Sequence, residues 1–384
     1  MRRGARTACY ARAVSSEASP APRSRRPKPR LGRLVARLAQ VAIAALVVAV
    51  VWRAVEALSW RELASSIAAA DLRYVLLGVA LLVGRYLVWT LRWRLAQRSV
   101  EHLVPLPGWL HSFFTVVGAV AANGFTPTAP VVGGLLRARH GQGAAGAAGA
   151  GERAFGRVYG VVLFDQVAHQ TVLALSAALA AVAAALWTGR TAVAVAIAAA
   201  LLAGAAVASY WLRGLDEARV ERLSGWLDRR LAGGDVEGAR REGRLQAIHA
   251  HGREALRVVQ RLLQERWLLR AALLLGVVFV ALNSLALWAF FRALGRPVDP
   301  LTAWLAVTVG VVAGGFTGTP GGVGTTEAGM VLALAAMQVS ELDAAAATLL
   351  YRGLHYLVVL ALGVPALVLL EARLRRRAVV EEAA

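Results

Sequence analysis

The chain is predicted to be an all-α, polytopic membrane protein, and three observations carry that class. Of its 384 residues, 58% are hydrophobic, and the mean hydropathy is +0.56. The apolar residues gather into runs close to the roughly 20 needed to cross a bilayer as a helix. A short Gly/Pro element also appears twice, each time interrupting an apolar run. The first copy reads Asn123-Gly-Phe-Thr-Pro-Thr-Ala-Pro130, followed by Gly133-Gly134. The second reads Gly314-Gly-Phe-Thr-Gly-Thr-Pro320-Gly-Gly322-Val-Gly324. Paired interrupted segments at matching places in two halves are the sequence pointer to a transporter's midplane site.

Residues 1–37 are rich in Arg, Pro, Ser and Ala and lack apolar periodicity. They are expected to be a disordered, basic cytoplasmic tail. The apolar stretch 38–55 has no small-residue cleavage site after it and reads as an uncleaved signal anchor. Further spans are expected at 73–91, 158–187, 192–212, 268–292 and 345–371, which makes about six. Together they form one transmembrane domain over 38–372, with a charged cytoplasmic loop at 213–267 and a short cytoplasmic tail at 373–384.

Two more apolar segments, 109–126 and 301–318, run straight into the Gly/Pro elements. They are expected to be re-entrant, and charge placement is the reason. With the N-terminus inside and both segments returning to their own side, Arg92, Arg94, Arg98, Arg137, Arg139, Arg153 and Arg157 all count as cytoplasmic. The arginine-dense loop and the C-terminal Arg373, Arg375, Arg376 and Arg377 do so as well. If both segments spanned fully, the dense loop would lie outside, against the positive-inside bias. The elements then enter from opposite faces, as in an inverted repeat. The loop alternates Arg with Asp and Glu and should hold one or two amphipathic, salt-bridged helices.

Composition also excludes functions. The net charge of +20 sits in the tail and inter-helix loops, so nucleic acid is not an expected partner. Cys9 is the single cysteine, which rules out an internal disulfide or a Cys-based metal cluster. No Walker loop or His-Glu-x-x-His occurs, and no nucleophile–base pair is apparent, so neither an enzyme nor a cofactor is expected. Metal binding by His169 and His355 has no supporting cluster.

The candidate substrate-binding residues are Thr126, Pro127, Pro130, Arg137, Thr319, Pro320, Gly321, Gly322, Gly324, Glu327 and Arg352. Broken helices leave backbone groups and dipole ends facing a water-accessible site, which suits an anionic group such as a lipid phosphate. The glycines also suit tight helix packing alone. Glu327 opens a half-helix, as a dipole partner or as an ion site. Arg352 would pair with Glu327, grip a phosphate or snorkel to the headgroups. Arg137 is expected to anchor at the cytoplasmic headgroup level. Asp165 and His169, four residues apart, form a proton relay or a structural pair, and His355 joins the proton-coupling candidates. Asn283 and Ser284 are expected to bond across helices.

At these residues the chain resembles the lysylphosphatidylglycerol synthase transmembrane-region family. The segment Thr319-Pro-Gly-Gly-Val-Gly-Thr-Thr-Glu327 and the later Ala-Thr-Leu-Leu-Tyr-Arg352 carry the likeness, with Pro130, Gly133 and Arg137 as a looser first-half match. The first half departs from the family pattern at Gly133-Gly134 and at Asp165-Gln166-Val-Ala-His169, which alters the charge inventory. The resemblance implies a flippase-like protein of the cytoplasmic membrane, with both termini cytoplasmic, that moves a lipid with a polar headgroup between leaflets. The sequence ends at Ala384 without the soluble aminoacyl-transfer domain, so synthase activity is not expected. Membrane lipids are the expected partners, with envelope-lipid biosynthetic enzymes or a second copy of the chain as others. A secondary transporter of a small solute and a non-catalytic scaffold are the competing readings.

Overall fold

Leu72–Arg98 begins at Asp71, whose carboxylate accepts a hydrogen bond from the Arg73 amide at 2.9 Å. That side-chain cap satisfies an amide the first turn would otherwise leave bare. The computed structural model describes residues 60–102, 104–125, 131–142, 151–188, 238–317 and 320–383. The expected tail, the anchor at 38–55, the span at 192–212 and the first part of the charged loop lie outside these residues.

Among the described residues every regular element is helical. The order is α1 (Trp60–Ala68), α2 (Leu72–Arg98), α3 (Trp109–Phe125), α4 (Val131–Gly141), α5 (Gly151–Thr188), α6 (Gly238–Gln264) and α7 (Arg266–Ala293). Then follow α8 (Pro300–Thr317), a 3₁₀ turn at Pro320–Gly322, α9 (Thr325–Ala336), α10 (Glu341–Val358), a π turn at Val359–Gly363, and α11 (Val364–Ala383). Among the described residues, four stretches are long and apolar enough to cross a membrane: Leu72–Arg98, Ala154–Ala183, Arg266–Ala293 and Glu341–Arg376. They coincide with four of the expected spans.

The distribution of polarity is that of a protein whose solvent is lipid. Large apolar side chains such as Leu76, Leu274, Leu357 and Val368 face outward. Arg85, Arg92, Arg137, Asp165, Asn283 and Arg352 are buried inside. In hydrocarbon, polar groups must find partners within the protein, and ionisable ones turn towards the bundle interior.

The two halves repeat the same order: a long helix, a medium one leading into the Gly/Pro element, a short one leaving it, and a long one. In the first half these are α2, α3, α4 and α5; in the second they are α7, α8, α9 and α10–α11. Small residues bring the second pair together. A Cβ added to Gly310 would lie 2.9 Å from the Thr326 carbonyl, and one on Gly329 would lie 3.1 Å from Gly310 Cα. Missing side chains let the backbones of α8 and α9 approach this closely. In the first pair, the Gly133 amide donates to Asn123 Oδ1 at 2.7 Å. A Cβ there would sit 2.6 Å from the Ala119 carbonyl. Gly321, Gly322 and Gly324 have φ of 60°, 70° and 82°, a region open to glycine at little cost. These three break the chain between α8 and α9.

The charged segment contains α6, which docks on the start of α5. Gly156 and Gly160 face its backbone, and a Cβ on Gly160 would stand 2.5 Å from the Ala255 carbonyl. Arg157 Nε donates to Glu254 Oε1 at 2.6 Å beside that contact. The expected salt-bridged helix is therefore present, packed on a span as well as solvated. Gly160→Leu is expected to force the two helices apart at a cost of about 1–3 kcal/mol. Limited trypsin digestion would register this as cleavage within α6 at protease levels that spare the parent; unchanged digestion would count against the packing argument.

Candidate functional site

The two Gly/Pro elements meet. A Cβ built on Gly321 would lie 3.5 Å from both Gly124 Cα and its carbonyl oxygen. Beside this contact is a cavity of about 530 Å3, lined from both elements by Asn123, Gly124, Gly314, Gly315, Gly321 and Gly322. The long helices complete it with Trp89 from α2, Gln166, His169 and Gln170 from α5, and Arg352, His355 and Tyr356 from α10. Val359, the first residue of the π turn, lies in the same wall. Such a turn inside a helix often accompanies a functional site.

Arg352 is the charged residue of the cavity wall and is only 8% exposed. Its Nε donates to Glu327 Oε1 at 2.5 Å, and its NH2 donates to the Gly321 carbonyl at 2.9 Å and to the Tyr356 hydroxyl. The expected Glu327–Arg352 pair is formed. Glu327 belongs to the first turn of α9, so its carboxylate lies at the half-helix N-terminus as well as on the guanidinium. Its second oxygen, Oε2, is buried without a hydrogen-bond partner.

A second ionic centre lies on the first half. Asp165 is 1% exposed and accepts from Arg92 Nε at 2.6 Å, Arg137 NH1 at 2.7 Å and Trp89 Nε1 at 2.8 Å. This overturns one expectation. Arg137 does not anchor at the headgroup level, because its guanidinium is 2% exposed and held by Asp165. Arg92, one of the charges counted towards the cytoplasmic side, is buried on the same carboxylate. Each position falls near the end of an apolar run, where sequence alone cannot separate an interfacial arginine from one turned inward.

Asp165 and His169 are linked through Trp89, with no direct hydrogen bond between them. The indole N–H donates to Asp165, and the ring stacks on His169 with centroids 6.1 Å apart. His169 lines the cavity and its Nδ1 is buried without a partner. His355 accepts a hydrogen bond at Nδ1 from Arg85. A guanidinium can only donate, so a neutral His355 carries its proton on Nε2.

The remaining expected residues divide as follows. Thr126, Pro127, Pro130 and Thr319 lie outside the described residues, and Pro320 opens the 3₁₀ turn. Gly324 is the N-cap of α9, and Thr326 lines the cavity. Asn283 crosses helices as expected, accepting from Arg85 and, at 3.0 Å, from the Tyr351 hydroxyl. Ser284 bonds within its own helix, to the Val280 carbonyl at 2.9 Å.

Sequence reasoning missed the inner face of α2. Arg85, Trp89 and Arg92 fall at helical spacing on one side of a helix read as a plain span. The signal was present: a charged residue well inside an apolar run points to function by default. The two ionic centres also share a pattern with reversed polarity. After the first Gly/Pro element the short helix gives the cation Arg137 and the next long helix the anion Asp165. After the second, the short helix gives the anion Glu327 and the next long helix the cation Arg352.

Compared with known proteins, residues 37–363 match the family described as the lysylphosphatidylglycerol synthase TM region. No curated protein matches the chain.

Proposed function

The chain belongs to the lysylphosphatidylglycerol synthase TM-region family, and from that premise we propose that it moves the polar headgroup of a membrane lipid between leaflets. One observation carries the reading: a cavity of about 530 Å3 lies among apolar-faced helices and takes both Gly/Pro elements and the buried Arg352 into its wall. An ion moved from water into a medium of hydrocarbon-like dielectric meets an idealised cost of order 20 kcal/mol. A cavity lined by backbone amides, His169, His355 and a guanidinium replaces part of the lost hydration. The acyl chains stay against the apolar exterior.

In this reading α3–α4 and α8–α9 are re-entrant pairs that enter from opposite faces. The length of α9 supports it, for its 12 residues fall well short of the roughly 20 of a full crossing. Glu327 holds Arg352 while the cavity is empty. An arriving phosphate competes for the same guanidinium, so binding loosens the tie between α9 and α10. Asp165 acts as the fixed counter-ion of Arg92 and Arg137 and keeps the first half in register. The protein operates as a transporter of the cytoplasmic membrane with no chemical step.

The test is reconstitution in liposomes with fluorescent lipid analogues whose leaflet is read by chemical quenching. Headgroup-dependent exchange is expected, and Glu327→Gln/Arg352→Ala protein of equal monodispersity is expected to lose it. Folded protein that exchanges no headgroup at all sinks the lipid reading and favours a soluble solute or a scaffold role.

A further inference from the structure

We infer that an inner chamber beside the main cavity, centred on Arg85, binds a phosphate-type oxyanion. The chamber measures about 180 Å3 and is walled by Arg85, Asn283, Thr308, Tyr351, Arg352 and His355. It shares Arg352, His355, His169 and Thr326 with the larger cavity. A headgroup in the outer space therefore has the inner chamber next to it.

The argument is one of charge balance. Arg85, Arg92, Arg137 and Arg352 are 5%, 2%, 2% and 8% exposed. Against these four guanidiniums, Asp165 is the single fully buried carboxylate among the described residues, and Glu327 follows with an 18% exposed side chain. Asp165 is taken by Arg92 and Arg137, and Glu327 by Arg352. Arg85 has neutral acceptors: Asn283 Oδ1, the Tyr86 hydroxyl at 2.7 Å and His355 Nδ1. Its Nε is buried with no partner.

Arginine does not shed its proton to relieve such a position. An uncompensated buried charge is costly, so a missing anion is the simplest completion. The donors select its type. The unpartnered Nε–H of Arg85, the Nε2–H of a neutral His355 and the Thr308 hydroxyl are donors in the same wall, and a charged donor with neutral donors beside it suits the several acceptor oxygens of a phosphate. The anion is either a lipid phosphodiester or free inorganic phosphate. The inference rests on the lipid-movement reading for its physiological source, but its test is equilibrium binding and requires no movement.

The thermal midpoint of the full-length detergent-purified protein would be followed against three probes: inorganic phosphate, dihexanoyl phosphatidylglycerol and dihexanoylglycerol. Ligand binding to the folded state raises the midpoint with concentration. A rise with both phosphate-bearing probes marks a site for the free anion as well as the headgroup; a rise with the phospholipid alone marks the headgroup as the source. No rise with either, or an equal rise with dihexanoylglycerol, overturns the inference. Arg85→Gln is expected to raise the midpoint without ligand and weaken the phosphate-bearing probe at least about tenfold. Arg85→Lys, which keeps the charge but not the fork, should fall between. Undiminished binding in a folded Arg85→Gln protein would also overturn the assignment. If Arg85→Gln does not fold, the three probes on the parent chain still decide it. Because exchange and binding are read separately, anion binding without lipid exchange would sink the transport reading and leave the subsite standing.

Discussion

Asp165→Asn is expected to be among the most damaging substitutions in the chain, lowering stability by about 3–5 kcal/mol, the range for breaking a buried ion pair. The change is nearly isosteric, so packing alone would call it mild. Its effect comes from charge: Arg92 and Arg137 both lie on this carboxylate at 2.6 and 2.7 Å. Without it, two buried guanidiniums face each other with only neutral acceptors. Thermal unfolding in detergent, with the fraction of monodisperse protein, measures the loss. Adding Arg137→Met to Asp165→Asn removes one uncompensated cation and should return part of the stability. A double variant no better than Asp165→Asn would show that the damage is not electrostatic.

Glu327→Gln is expected to cost about 3 kcal/mol, the lower end of the same range, because the Glu327 side chain is 18% exposed and water shares in its screening. Arg352 would keep the Gly321 carbonyl and the Tyr356 hydroxyl as acceptors, so its hydrogen bonds survive in part while its counter-charge is lost. Glu327→Gln, Arg352→Gln and the double variant form a cycle whose coupling should reach about 1–3 kcal/mol, as for contacting residues in one network. Additivity within error would mean that the pair contributes nothing as a pair. The exchanged pair Glu327→Arg/Arg352→Glu keeps the attraction but puts an anion where the cavity wall had a cation. It should retain most stability while losing exchange of anionic headgroups in liposomes.

Much of this arrangement was legible in the sequence. The apolar runs ending at the Gly/Pro elements gave α3 and α8 to within a residue, since glycine and proline punctuate helices through backbone physics that needs no partner. The Glu327–Arg352 pair was legible because it joins two short, distinctive segments. The Asp165 centre was not. Its partners come from α2 and α4, and hydrophobic periodicity marks a buried face without saying which face it meets. Arg85 shows the same limit more sharply. Its acceptors Asn283 and His355 are supplied by α7 and α10, helices of the other half. The repeat itself was legible only in outline. Tyr159 and Tyr351, which occupy similar positions after each element, do different work: Tyr159 stacks on Phe155, and Tyr351 bonds Asn283.

The π turn at Val359–Gly363 has a mechanical consequence. It accommodates one surplus residue, and Gly363 fits there because a Cβ would come within 2.7 Å of the Val117 carbonyl on α3. A surplus of this kind can be passed along a helix, and the residues it crosses turn by about 100° relative to the helix on either side. The surplus at Val359–Gly363 lies immediately after the turn that presents Arg352, His355 and Tyr356, so its shift into α10 would re-aim those three side chains without moving α11.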